Sequence, residues 1–233
     1  MSDKHFSSQY ENELHVVSVR LIELGRQVDA QIVQTIEALV HSDADGARQV
    51  LTAEAEVNAL EVEIDHEITS IIAKRQPAAR DLRLLMAISK ASSNLERVGN
   101  EADRMARKVL KLIGGGAHGS LPLKELSIAT KLATGLLGKA LEAFDQLDLA
   151  AAIDVIKEGD ASYREVDEIV HKLVNRMIEN PRMTSSCVEL ISLAKSLELI
   201  VDHARHVAEL VIYVVQGADV RHTSVAQIES LVQ

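Results

Sequence analysis

Leu95-Glu96-Arg97-Val98-Gly99-Asn100-Glu101-Ala102 is written a second time, 102 positions later, as Leu197-Glu198-Leu199-Ile200-Val201-Asp202-His203-Ala204. The match extends in both directions, Ile88 pairing with Leu190 and Ala106 with Ala208. Apolar residues in both copies recur three or four apart, the spacing of one helix face. A period this long exceeds the roughly 20–50 residues of solenoid units. It implies two copies of a whole helical bundle, so the chain is expected to be all-α.

The flanking sequence supports this. Of 233 residues, 47% are apolar but only 2% aromatic, with no Trp. Such a core is built of Leu, Ile, Val and Ala, which suits close helix packing and poorly suits a β-sandwich. Helical periodicity predicts segments at about Ser8–His41, Asp45–Arg75 and Pro77–Ile113, then at about Pro122–Gln146, Asp148–Glu179 and Thr184–Gln216. Ser42-Asp43-Ala44-Asp45-Gly46 supplies a turn and an N-cap. The middle helices repeat as well: Glu56-Val57-Asn58-Ala59-Leu60 resembles Glu165-Val166-Asp167-Glu168-Ile169, at a shift of 109. Short connections force antiparallel neighbours. The expected architecture is a tandem repeat of two antiparallel three-helix bundles, residues 1–113 and 122–216. A glycine-rich linker at 114–121 joins them, and a polar tail covers 217–233.

Composition narrows the function. A formal net charge of −10 disfavours nucleic acid and anionic lipid as partners, both of which require a basic face. One cysteine, Cys187, excludes an internal disulfide. No apolar run reaches the roughly 18 residues of a membrane span, and the polar start MSDKHFSSQYENELH is not a signal peptide. A cytoplasmic protein that meets the membrane only through partners is expected. The excess of apolar surface on long helices points to self-association, most simply a homodimer.

No enzyme motif is present. There is no phosphate-binding G-x-x-x-x-G-K-[ST], no H-E-x-x-H, no G-x-S-x-G and no C-x-x-C. Di-iron bundles use paired Glu-x-x-His motifs, and the chain contains Glu63-x-x-His66 and Glu168-x-x-His171. Phase argues against them. At roughly 100° per residue, His66 lies roughly 180° from the core position Val57, and Glu168 roughly 160° from Val166. Ligands of a buried centre would share the core face. The chain is therefore expected not to be an enzyme.

The remaining chemistry lies on the last helix of each copy. With Leu197 at the core, Glu198, Asp202, His206 and Glu209 fall roughly 100° to 180° round the helix. Spacings of four, four and three stack them into one ladder. Three carboxylates and an imidazole so placed offer oxygen and nitrogen ligands to a divalent or ferric ion: iron, zinc, manganese or magnesium. The first copy places Glu96, Asn100, Arg104 and Arg107 there, with Asp103 alongside. The same spacing equally describes a solvated helix face.

These residues resemble the PhoU family of phosphate-transport accessory regulators, whose pattern is two three-helix bundles, each with an E(D)-x-x-x-D signature on its third helix. Here the signatures read Glu96-Arg97-x-x-Asn100-x-x-Asp103 and Glu198-x-x-x-Asp202-His203-x-x-His206-x-x-Glu209, and Pro77-Ala78-Ala79-Arg80-Asp81-Leu82-Arg83 resembles the family's lead into the third helix. The resemblance spans about residues 8–216. It implies a negative regulator of the phosphate-starvation response, set between the ATPase subunit of the phosphate-specific ABC transporter and a phosphate-sensing histidine kinase. It also implies surface metal clusters in some members. Asn100, Leu199 and His206 depart from the pattern, which carries Asp at the first position and commonly Arg and Asn at the others.

Overall fold

Long stretches of Leu, Ile, Val and Ala, spaced three and four apart and almost free of Gly and Pro, leave the backbone no alternative to helix. The structure, a computed structural model, describes residues 2–115 and 123–232, with side chains from 8 to 115 and from 123 to 231. Six long helices follow one another: α1 Ser2–His41, α2 Ala44–Arg75, α3 Ala79–Gly114, α4 Leu123–Gln146, α5 Leu149–Glu179 and α6 Thr184–Gln216. A 3-10 turn, Pro181–Met183, precedes α6. The chain is all-α. From residue 116 onward the expected linker lies outside the described residues.

The first turn of each triplet is built twice, down to its hydrogen bonds. Ser42 (φ 57°) and Leu147 (φ 51°) take left-handed backbone conformations. The N–H of Asp43 donates to Ala38 O at 2.8 Å, and that of Asp148 to Ala143 O at 2.9 Å. The carboxylate of Asp43 then caps α2 through the N–H groups of Asp45 and Gly46, and that of Asp148 caps α5 through those of Ala150 and Ala151. These turns align at a shift of 105, whereas Gly46, Ala47, Val50, Val57 and Ile64 find their buried counterparts in Val155, Ile156, Gly159, Val166 and Leu173 at 109. Four residues are about one helical turn, so α5 begins one turn earlier than α2 does.

The triplets are not isolated bundles. Within them, α1, α2 and α3 pack on one another, as do α4, α5 and α6, but α3 also packs along α6 and α1 along α4. One continuous core results, running from Val17 and Leu21 to Val211 and Val214. Between α1 and α4 the helices approach so closely that a Cβ on Gly25 would stand 2.4 Å from a Leu141 methyl.

The α3–α6 pair is antiparallel. Lys108 meets Ser192, Asn94 meets His203, and both Arg83 Nε and Nη2 donate to Val214 O, at 3.2 and 3.1 Å. Interpolating between these contacts sets Val98 opposite Ile200, both fully buried and each the repeat counterpart of the other. A residue facing its own duplicate is the mark of a local twofold relation.

The segment after Gly217, expected as a polar tail, is partly structured. Residues Val225–Val232 form a seventh helix, α7, which packs on α5. Its core side chain is Ile228, and Val220 is buried ahead of it. The sequence reading passed over it because eight residues show barely two helical turns of periodicity.

Candidate functional site

Glu63, His66, Glu168 and His171 are exposed, as their phase required, with Glu63 paired to Arg20 at 2.9 Å. The two expected ladders are not on open helix faces. α3 packs against α1, α2 and α6, and α6 packs against α3, α4 and α5, so each keeps an exposed strip rather than an outward half, with Arg104 and Arg107 on the strip of α3 and Lys195 and His206 on that of α6. In the first copy Asp103 is 8% and Glu101 7% exposed. In the second, Glu198, Asp202 and Glu209 are half-buried, and only His206 is exposed. The stripes run along seams between helices, and most of the side chains there have found a partner.

In the first seam, Arg107 grips Asp103 with two hydrogen bonds, Nε to Oδ2 at 2.8 Å and Nη2 to Oδ1 at 3.0 Å. Asn100 Nδ2 donates to Glu96 Oε1. Glu54, from α2, lies against Asp103, and burial together with that neighbouring carboxylate raises its pKa. Further along, Ser93 donates to Glu61 at 3.1 Å and Ser89 to Asp65 at 2.9 Å. This seam is a ladder of α2 carboxylates facing polar groups of α3.

In the second seam the polarity is exchanged. The counterpart of Asp103 is Arg205, and that of Arg107 is Glu209. Arg205 Nη1 pairs with Asp160 Oδ1 at 3.0 Å and donates to the Tyr163 hydroxyl at 3.1 Å. The Tyr163 hydroxyl itself donates to Asp202. Tyr163 stands where the first copy has Glu54. Its hydroxyl pKa is raised by burial and by Asp202. Lys195 Nζ holds Glu198 at 2.5 Å. The Arg205 stem lies across Gly159, where a Cβ would come within 2.4 Å of Cδ, so that glycine makes the close approach possible.

The largest shifts in this seam fall on His203 and Glu209. His203, hydrogen-bonded to Asn94 Oδ1 at 3.1 Å across the α3–α6 seam, is brought down to about 4 by burial, with His206 and Arg97 adding to the effect. Burial pushes Glu209 up to about 7, against the pull of Arg205, and its Oε2 has no hydrogen-bond partner. The folded pKa of Glu209 thus lies above its ordinary 4.5, and folding favours the protonated acid. The stability this group contributes is complete below pH 4.5 and is lost as pH rises through 7. Glu209→Gln, always neutral, is expected to stabilise the protein by about 1–2 kcal/mol at pH 8, a figure discounted for partial exposure. At pH 4 it should be neutral, and urea unfolding at the two pH values checks the difference.

As packed, the expected metal residues do not form a ligand set. Asp103 is committed to Arg107, Asn100 to Glu96, Asp202 to Tyr163 and Glu198 to Lys195. Among the described residues no three His, Cys, Asp or Glu side chains converge to hold one ion. Tyr163, Arg205, Asp160, Glu54 and His203 are seam residues that the ladder reading missed. The two repeat shifts held the signal, since 109 maps Glu54 onto Tyr163 while 102 maps Asp103 onto Arg205.

Comparison with known proteins agrees with this duplicated architecture. The PhoU domain profile matches twice, at residues 21–109 and 126–211. A Burkholderia sp protein named phosphate-specific transport system accessory protein PhoU homolog is 42% identical over 229 residues, which cover 98% of this chain and 97% of its own. The Escherichia coli PhoU protein is 34% identical over 229 residues, covering 98% of this chain and 94% of its own. The crystal structure of PhoU from Pseudomonas aeruginosa superposes with a TM-score of 0.84 at 36% identity, over 90% of this chain and all of that one. With matches of this extent in both halves, the chain belongs to the PhoU family.

Proposed function

We propose that the chain is an accessory regulator of phosphate transport that works by docking and carries out no chemistry of its own. In finer terms, it acts as a negative regulator of phosphate uptake and of the starvation response, a cytoplasmic adaptor between the ATPase subunit of the phosphate-specific ABC transporter and a phosphate-sensing histidine kinase. The observation that carries this reading is near full-length similarity to proteins named as accessory to the phosphate-specific transport system. The packing is consistent with it. The interior is filled with aliphatic side chains, and the carboxylates of the two stripes lie along seams between helices. Among the described residues no helix is long and apolar enough to cross a membrane, so contact with the membrane runs through the partners.

Two measurements test the reading. Phosphate uptake in a strain lacking the gene is expected to escape repression in rich medium; unchanged uptake rejects the regulatory role. Pull-down at physiological salt with the ATPase subunit and with the kinase tests the adaptor, and capture of neither, under high or low phosphate, rejects it. Self-association belongs to the same proposal, and light scattering that gives a monomer across micromolar concentrations would remove it.

Iron, zinc, manganese or magnesium at the second stripe would be a separate property, requiring Asp202 to leave Tyr163 and Glu198 to leave Lys195. Elemental analysis of protein purified without chelator checks it. A stoichiometric ion that is lost in Asp202→Ala establishes such a rearrangement. A metal-free wild type leaves the stripes with docking alone.

A further inference from the structure

Helix α4 packs on α1, α5 and α6 and leaves one side uncovered among the described residues. That side carries Ile128, 47% exposed, and one turn on Leu132, 42% exposed. Four exposed charges share it, Lys124 and Lys131 in the N-terminal half of the helix and Glu142 and Asp145 near its end. The six fall within an arc of roughly 140°. Among the described residues no ion pair engages any of the four charges, whereas Lys139 and Glu125 are tied to α5, to Glu158 at 2.6 Å and to Lys172 at 3.6 Å. Between the two halves stand Gly135 and Gly138, where a Cβ would meet nothing within 4 Å. Gly25 and Gly159 are held to glycine by close neighbours, but packing within one chain makes no such demand at these two, and a glycine weakens a helix interior. The matching side of α1 is unlike it. At the shift of 105, Glu23, Gln27, Ala30 and Val33 hold the places of Ile128, Leu132, Gly135 and Gly138.

We propose that a second copy of the chain docks on this side, α4 against α4, antiparallel about a twofold axis near Gly135. The surface so assigned rests on the self-association proposed above and gives it a place. In a twofold contact residue i of one copy meets j of the other, and j meets i, so the surface must complement its own reverse. The charges of α4 do so. Lys124 lies eleven residues from Gly135 and Asp145 ten residues on the other side; Lys131 lies four away and Glu142 seven. Antiparallel pairing therefore brings Lys124 beside Asp145 of the other copy and Lys131 beside Glu142. At 1.5 Å per residue the members of these pairs are offset along the helix by about 1.5 and 4.5 Å, within the reach of a lysine. Parallel pairing would set lysine on lysine and carboxylate on carboxylate. Leu132 and Gly138 each lie three residues from Gly135, so the leucine falls where the other copy has no side chain. Ile128 and Leu132 are then covered, and the four charges form a polar rim around them, the anatomy of a protein interface.

Sedimentation equilibrium of the full-length protein tests this. The wild type is expected to dimerise, and Leu132→Glu and Lys131→Glu each to weaken the dimer by about tenfold or more. Lys131→Glu combined with Glu142→Lys restores opposite signs across the axis and should return the affinity to within about threefold of wild type. All three positions are exposed, so helix content by circular dichroism should not change, and rescue by the double variant excludes a folding defect. A short bismaleimide should link two copies of Gly135→Cys and not two copies of Asn58→Cys, which is exposed on α2; Cys187 is buried and adds no background. A monomeric wild type overturns this surface and the self-association together. A dimer that Leu132→Glu leaves intact, or that Gly135→Cys fails to link, overturns the α4 surface while self-association stands. A charge swap that does not restore the dimer overturns the antiparallel pairing. A monomer that captures the transporter ATPase subunit, and loses it in Leu132→Glu, gives the surface to that partner and overturns the second copy.

Discussion

Ile200→Ala is expected to lower the stability of the whole protein by about 2–4 kcal/mol, the usual cost of truncating a fully buried aliphatic side chain. Ile200 is 0% exposed and sits where α3 crosses α6, opposite Val98. The cavity therefore opens in the contact between the repeats, where both triplets must relax to fill it. For a chain of this size that loss corresponds to roughly 5–15 °C in melting temperature. The structure makes a second, more demanding requirement. Because a single core runs through both triplets, the weakened protein should still unfold in one transition. Calorimetry that resolves two transitions, or a shift below about 2 °C, would contradict this account of the seam. Leu199→Ala, one position away but 44% exposed, is the control and should change stability by less than about 0.5 kcal/mol.

Arg205→Leu is expected to cost about 1–2 kcal/mol. Removing one member of a fully buried ion pair costs about 3–5 kcal/mol, and the exposure of the two side chains, 23% for Arg205 and 51% for Asp160, reduces that figure. Its guanidinium sits among Asp160, Tyr163 and Glu209, and the leucine would leave these groups without their cation. Urea unfolding at pH 8 measures the loss. A spectroscopic readout separates electrostatics from packing. Arg205 lowers the pKa of the Tyr163 hydroxyl, so in the variant that phenol should ionise at higher pH. Arg205→Lys, which keeps the charge without the fork, should recover part of the stability and most of the titration. If Tyr163 titrates identically in all three proteins, the network does not act as described.

The architecture was legible because its signals were long and redundant. Thirty-residue helices show many turns of the same periodicity, and the aspartates at 43 and 148 mark α2 and α5 by the same capping chemistry. The site was legible only in part. Taking Leu197 as the core direction found the buried face of α6 correctly, yet it treated the remaining arc as solvent. A single sequence does not reveal that α6 has three neighbours. Asp103, one of the least exposed charged groups, therefore passed for a surface residue. Tyr163 and Arg205 were hidden for a different reason. Each belongs to a network whose members come from separate helices, and a search along one ladder does not cross the seam. Helix α7 was missed because Val225, Ile228 and Leu231 make too short a pattern to stand out from a loop.

The exchange of Asp103–Arg107 for Arg205–Glu209 has an evolutionary reading. Were the triplets two molecules of one gene product, each mutation would be stamped on both sides of the axis at once, and a reversed pair could never coexist with its mirror. Covalent fusion removes that constraint. One half can hold Asp103 with Arg107 while the other carries Arg205 and Glu209 at the same places and a tyrosine in place of Glu54.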